Sequence, residues 1–389
     1  MIGQLRRSKE TSGVLLPLVA FCLCSIVAFD AHAWSAEQTD RARAFIERYL
    51  DRSSVPGRRR PPGISIAIGV GGELVMADGF GDDGRGQRPN ADTKYRIGSI
   101  TKQFTAATVL RLIEQGAICT LTGSPLTLDT AAADILPGVE NWTQPDQAAI
   151  TVRSLLTMTS NLPNFTRRPP PDLDPWGAVA LPELLGAVKR LKPQGWRSSF
   201  EYSNTSYFIL ASIIDAVTLP GKGAALPYRE SMRALLLEPL GLDSTAFFDG
   251  VPSAGNFALP HHQRRPAFGA ADWLRGSGDM VSSARDVAKW NTALLAGQAL
   301  SSASLDAMFS ETARVTPTLY YGMGWYVSQS DGCKLYTHSG SVPGYTAVNA
   351  ICRDLKRNTD VSVTLLTNAD GIEDLDDVSD ALMRIAFEK

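Results

Sequence analysis

Three short stretches of this sequence hold residue types that can together break an acyl bond. Ser99-Ile100-Thr101-Lys102 is the only S-x-x-K in the chain. Residues three apart on a helix share a face, roughly 5–6 Å apart between Cβ atoms, so hydroxyl and amine point the same way. Tyr202-Ser203-Asn204 is the only Y-x-N, and His338-Ser339-Gly340 the only H-S/T-G. A serine hydroxyl is a poor nucleophile until a base takes its proton. Lysine and tyrosine ordinarily titrate near or above about pH 10, so neither Lys102 nor Tyr202 serves at neutral pH unless shifted. Desolvation lowers a lysine and a nearby ammonium lowers a phenol, so one deprotonated member of the pair can accept the Ser99 proton; the sequence leaves open which. Tyr202 would then hand the proton to the leaving group. Each stretch alone has a plainer reading: an ordinary helix start, a cap before "YFILASII", a histidine on an exposed strand.

Periodicity gives the elements that must hold these residues. From Phe104 apolar residues recur at helical spacing until Gly116, which puts Ser99 in the first turn of a helix. "EQTDRARAFIERYLDR" reads as an amphipathic first helix, and "ISIAIGV" with "ELVMADGFG" as a hairpin around Gly71-Gly72. Strand signal then disappears through a middle region rich in helical runs. It returns with "GMGWYV", "KLYTHSG", "YTAVNAI" and "VSVTLLTN", and "DLDDVSDALMRIAFE" closes as a helix. Strands at both ends predict an α/β sandwich: one antiparallel sheet flanked by helices (about 34–116 and 316–389) plus an inserted all-helical lobe (about 117–315). Ser99 lies at the junction, where concave sites form.

The 389 residues are 44% apolar and 20% charged, an ordinary globular balance. A formal net charge of −2 provides no field to gather nucleic acid or an anionic membrane. Residues 1–33 read as a signal peptide: basic Arg6, Arg7 and Lys9, an apolar run from Val14 to Phe29 that is short for a span of about 20 residues, and Ala31-His32-Ala33 before the cut. Export to a periplasmic or extracellular place is expected, with no stable membrane span afterwards. Arg6-Arg7 hints at a twin-arginine signal, although Ser8-Lys9-Glu10 is not its usual sequel. Cys119, Cys333 and Cys352 would then meet an oxidising compartment. A hairpin turning between Ser341 and Gly344 would set Cys333 opposite Cys352 for a cross-strand disulfide, leaving Cys119 free; two unpaired half-buried thiols are the alternative.

Taken together and in this order, the motifs resemble the serine β-lactamase and penicillin-binding superfamily, in the branch that holds class C β-lactamases, D,D-peptidases, D-aminopeptidases and esterases. "GFGDDGRGQRPNADTKYRIGSITKQFTA", "ITVRSLLTMTSNLPNF", "FEYSNTSYFILASII", "LEPLGLDSTAF", "GSGDMVSSARDVAKW", "YGMGWYV" and "HSGSVPGYTAVNAI" all fit its pattern. The resemblance implies a β-lactamase or D,D-peptidase-like fold. It places the oxyanion-binding N–H groups at Ser99 and Ser341, with Asn204, His338, Ser339 and Gly340 lining the substrate site. Asn204 would hold Lys102 and a substrate amide, and Gly340 would be bare because substrate lies against that strand edge. His338 stands where β-lactamases normally carry lysine, so it offers a partial charge to a substrate carboxylate. In "LLTMTSNLP", Met158 and Asn161 replace the more usual histidine and glycine, and Asn161 suits a left-handed turn.

The expectation is an exported serine hydrolase that forms an acyl-enzyme on Ser99 and hydrolyses an ester or amide bond in a small-molecule or peptide substrate, such as one of cell-wall origin. An efficient β-lactamase is one alternative and a catalytically silent binding module of this fold another. No nucleic-acid partner, cofactor or metal is expected. Arg58 to Arg60 read as a solvated loop, His261-His262 lack further ligands at suitable spacing, and Asp82-Asp83 lack the alternating acids of a calcium loop. The Pro-rich stretch from Arg167 to Pro175 reads as a connection that could also rim the site.

Overall fold

The computed structural model describes residues 34–53, 61–140, 142, 148–174, 179–194, 199–221, 225–249, 255–261, 271–330, 332–356, 359–372 and 374–388. The leader, the run Arg58 to Arg60, Pro175 and His262 lie outside the described residues. Helix α1 (Ala36–Ser53) precedes β1 (Ile64–Val70) and β2 (Glu73–Phe80), a hairpin closed by Gly71 and Gly72. β3 (Lys94–Arg96) leads through a tight turn, Gly98–Ile100, into α2 (Thr101–Glu114). The middle of the chain holds β4 (Ile118–Cys119), α3 (Val152–Leu156), α4 (Leu181–Lys189), α5 (Asn204–Asp215), β5 (Val217–Thr218), α6 (Tyr228–Met232), β6 (Ala246–Phe247), β7 (Met280–Ser283), α7 (Ala284–Leu295) and α8 (Ser302–Met308). β8 (Ala313–Arg314), β9 (Leu319–Tyr321), β10 (Tyr326–Ser330), β11 (Cys333–Val342), β12 (Tyr345–Asp354), β13 (Asp360–Thr367) and α9 (Leu375–Phe387) complete it.

The main sheet is antiparallel, in the order β2-β1-β13-β12-β11-β10-β9-β8, so strands from both ends of the sequence pair at β1 and β13. Alternate residues of a strand face opposite sides. Ile64, Ile66, Ile68, Val348, Ala350, Val363 and Leu365 pack with Ile46 of α1 and Leu382 of α9 on one face. On the other, Asn349 of β12 reaches Gln103 of α2 and Asn291 of α7. The larger core lies under the helices, where Phe104 stacks on Trp290 and Phe165 on Trp273.

The middle region departs from the sequence reading in two ways. It is not wholly helical: β3, β7 and β6 form a small sheet, and β4 pairs β5. Strands of two to four residues are too short to carry a period of two, so they leave no trace in the sequence pattern. Moreover α7, assigned there to the inserted lobe, packs on β1 and β13 and covers the main sheet.

The hairpin β11–β12 turns one residue later than expected, with Val342 opposite Tyr345, Cys333 opposite Asp354 and Cys352 opposite Leu335. The two cysteines are diagonal on one face and are joined by a disulfide, with Cα atoms 5.6 Å apart. Diagonal neighbours on one face remain within reach, which is why the slip does not separate them. Cys119 is buried as a free thiol.

Candidate active site

Ser99 stands in the turn Gly98–Ile100, just ahead of α2 rather than inside it. Two close approaches fix that turn. Gly98 has φ of +50°, and a Cβ there would lie 2.8 Å from the Ser341 nitrogen. A Cβ on Gly340 would lie 2.0 Å from the Ile97 carbonyl oxygen and 3.2 Å from the Ser99 nitrogen. The turn and β11 therefore meet backbone to backbone, which brings the Ser99 and Ser341 main chains into one neighbourhood. Gly340 is bare where the Ile97 carbonyl occupies the space a side chain would need. Ile97 N also donates to Met280 O at 3.1 Å, tying the turn to β7.

Lys102 is fully buried in the first turn of α2, and its Nζ meets three oxygens: Ser99 Oγ at 3.0 Å, Asn204 Oδ1 at 2.8 Å and Ser277 O at 2.7 Å. Burial pushes the amine well below its ordinary value, against the pull of the Asp279 charge. Nζ also lies over the Tyr202 ring, 4.9 Å from its centroid. Burial pushes the Tyr202 phenol up, while a hydrogen bond with Ser99 pulls it the other way. So Lys102 and Tyr202 are shifted in opposite directions, and proximity to lysine does not make a phenolate of Tyr202.

Asn204 opens α5, and its side chain does not cap the helix. It spans Lys102 and, through Nδ2, Thr166 Oγ1 at 2.8 Å. The stretch before it is held by Ser203 Oγ donating to Leu162 O at 3.0 Å, by Thr205 Oγ1 donating to Pro163 O at 2.6 Å, and by Glu201 N donating to Met158 O at 3.0 Å. Met158 and Asn161 both take left-handed backbone, φ +56° and +58°. Asparagine suits that region; methionine does not, and here it aims its carbonyl at the residue before Tyr202.

His338 is buried on β11 at 2% exposure. A carbonyl only accepts, so Nδ1 carries the ring proton and donates to Ser339 O at 2.7 Å, leaving Nε2 for the Tyr321 hydroxyl at 3.2 Å. Burial, helped by the Lys102 charge, pushes its pKa down to about 3. The ring is thus neutral near pH 7 and offers a carboxylate no charge, contrary to expectation. Its neighbours are aromatic: Tyr202, Tyr321 and Tyr326. Ser339 is exposed on the adjacent position of β11, and Ser341 beyond Gly340 is exposed too.

Ser99, Lys102, Tyr202 and Asn204 therefore converge, with His338 behind Tyr202 and the Gly340–Ser341 strand beside the turn. Sequence reasoning missed the Ser277 carbonyl, Thr166 and Tyr321. Ser277 lies in "GSGDMVSSARDVAKW" and Tyr321 opens "YGMGWYV", and the likeness of these stretches to the family pattern was the only signal; Thr166 had none. Asp82 and Asp83 are spent on their own loop, where their Oδ1 atoms accept from the N–H groups of Gly84 and Gly86 and of Arg85 and Gln87. Among the described residues no group of three or more His, Cys, Asp or Glu is placed to hold a metal ion. His261 N donates to Asn368 O.

An antiparallel sheet with helices on both faces, carrying a serine and a buried lysine at the foot of one central helix, defines the class of serine β-lactamases and penicillin-binding proteins. The chain belongs to the Beta-lactamase family, whose model matches residues 42–387. It is 26% identical over 324 residues to the unguisins hydrolase ungD' of Aspergillus campestris (strain IBT 28561), covering 77% of this chain and 57% of that one. The chain spans 57% to 65% of the lengths of the curated relatives it matches first. Among solved structures, the octameric penicillin-binding protein homologue from Pyrococcus abyssi has a TM-score of 0.70 at 25% identity, covering 90% of this chain and 76% of that one. The D-amino acid amidase from Ochrobactrum anthropi SV3, complexed with L-phenylalanine amide, has a TM-score of 0.69 at 22% identity, covering 90% and 99%, and shares the fold. Among the described residues no helix is long and apolar enough to cross a membrane.

Proposed function

We propose that this protein is an exported serine hydrolase that forms an acyl-enzyme on Ser99 and hydrolyses an ester or amide bond, of the D,D-carboxypeptidase, D-aminopeptidase or esterase type. The observation that carries the reading is the set of partners around Lys102. Asn204 Oδ1 and Ser277 O can only accept, so they take two N–H bonds of a neutral amine. In the structure Nζ donates to Ser99 Oγ, 3.0 Å away; in the neutral amine that direction would carry the lone pair, which would accept the hydroxyl proton as the oxygen attacks the acyl carbon. The lowered affinity of the buried amine for a proton supports the same assignment. Tyr202, kept protonated by burial, would give its proton to the leaving group and take up the one that Lys102 received from Ser99. The N–H groups of Ser99 and Ser341 would bind the oxyanion, a contribution of several kcal/mol in sites of this type. Water then releases the acyl group from Ser99.

The names of similar proteins support a small-molecule or peptide substrate with an acyl bond to break: a penicillin-binding homologue, a D-amino acid amidase and an unguisins hydrolase. Neutral His338 argues against a substrate held mainly by its carboxylate. The Cys333–Cys352 disulfide supports export, because such bonds persist in oxidising compartments.

The test is intact-protein mass spectrometry after exposure to benzylpenicillin and, separately, to an alkyl fluorophosphonate. We expect a covalent adduct on the wild-type chain with at least one probe and none on Ser99→Ala. An adduct that survives in the variant, or none with either probe, overturns the assignment.

A further inference from the structure

The turn that supplies the Ser277 carbonyl is built around a carboxylate that the reaction above does not use. Asp279 is wholly buried, and its Oδ1 accepts from Gly276 N at 3.1 Å and from the Tyr228 hydroxyl at 3.3 Å. Oδ2 has no hydrogen-bond partner and lies 3.8 Å from Arg229 Nη2. Burying a carboxylate so thinly paired is costly, and an apolar residue would pack there without that cost. Its hydrogen bond to Gly276 draws in the residues that α2 grips. Thr105 Oγ1 donates to Gly276 O at 2.8 Å, Lys102 Nζ to Ser277 O at 2.7 Å, and Met280 N to Thr101 Oγ1 at 3.3 Å. Ser277 N and Gly278 N donate to Leu274 O at 2.8 Å, and Asp279 takes the Gly276 N–H that Leu274 leaves over, so the carboxylate completes the set of bonds that fixes the turn.

We propose that Asp279 is a positioning residue, which aims the Ser277 carbonyl at Lys102 through its bond to Gly276 and acts on the amine through its buried charge. The inference rests on Lys102 being the base for Ser99. Asp279 is faced by Tyr228 and Arg229 of α6, by Arg275 in the same turn and by Arg96 of β3; Arg229 also meets Asp272, and Arg275 pairs with Asp215. Lys102 is faced by Tyr202 and Tyr207 of α5 and by His338 of β11. Among these groups Asp279 is the one whose charge draws Lys102 toward its protonated form. Burial in turn raises the pKa of Asp279 to about 6. The amine is thus set by two opposed effects: desolvation, which frees its lone pair, and Asp279, which limits how far.

The test reads Lys102 directly and needs no turnover. Full-length protein carrying 13C-labelled lysine is titrated by NMR, with the Lys102 Cε resonance assigned by its loss in Lys102→Met. Asp279→Asn is nearly isosteric and keeps Oδ1 as acceptor, while its amide replaces an oxygen that has no hydrogen bond, so the variant removes the charge and keeps the turn. The expected result is a Lys102 midpoint at lower pH in Asp279→Asn than in wild type. In wild type itself the Lys102 resonance should also register the titration of Asp279 near pH 6. That inflection should vanish in the variant. Coincident midpoints, or a wild-type resonance blind to pH near 6, overturn the inference even if folding of the variant is impaired. The fluorophosphonate reaction of the wild type separates this failure from that of the hydrolase reading: a labelled Ser99 with an unmoved Lys102 rejects only the role of Asp279.

Discussion

At the scale of single residues, burial decides how readily the groups of the candidate site hold a charge. Lys102 has three oxygens around Nζ, and burial pushes its amine well below the ordinary value. His338 is neutral for the same reason, burial, and its effect on stability has a definite sign. Its native pKa is about 3, below the ordinary value of 6.5. Above about pH 6.5 both native and unfolded states are neutral; as the pH falls toward 3 the unfolded state takes up the proton first, so stability is lost. Urea denaturation should show wild type losing about 2–3 kcal/mol more than His338→Gln between pH 7 and pH 4.5. Parallel losses in the two proteins would mean that the ring is charged or exposed. The sequence brought out Ser99, Lys102, Tyr202 and Asn204 because each belongs to a short motif. It misjudged His338 because residue type alone gives the ordinary pKa, and burial is a property of neighbours.

At the scale of elements, the site depends on two glycines that let the turn before α2 lie against β11. Gly340→Ala puts a carbon 2.0 Å from the Ile97 carbonyl oxygen, and backbone on both sides leaves little room to give. Overpacking of this kind costs about 1–3 kcal/mol. The displacement falls on Ser99 itself, so labelling of Ser99 by the fluorophosphonate should slow by about 100-fold, the size of effect expected from a shift near 1 Å. Thermal melting and labelling kinetics measured together check this. A variant that melts lower yet labels at the wild-type rate would show that the turn and strand are not coupled. The left-handed Met158 and Asn161 belong to the same scale. Asn161 was legible as a glycine substitute, whereas the left-handed Met158 carries no sequence signal, because its conformation is set by the loop that meets Glu201.

At the scale of the whole molecule, the sheet joins the two ends of the chain, and the Cys333–Cys352 bridge sits at the end of β11 away from Gly340. A loop of this length contributes about 3 kcal/mol by restricting the unfolded chain. The double variant Cys333→Ser, Cys352→Ser should therefore unfold at lower denaturant while Ser99 labels at the wild-type rate at 25 °C. Loss of labelling in the folded variant would instead tie the bridge to the site. The sequence by itself determined the long periodic elements, the shared sheet of the two termini and the motif residues, since each is written in local spacing. Only the tertiary structure decided the two-to-four-residue strands of the middle region, the packing of α7 on the sheet and the close approach of Ile97 to Gly340. It also shifted the Lys102 amine down and the Tyr202 phenol up, in opposite directions. The physical reason is that these depend on desolvation and on partners far apart in the chain, such as Lys102 and Ser277, 175 residues away. No local pattern records such a partner.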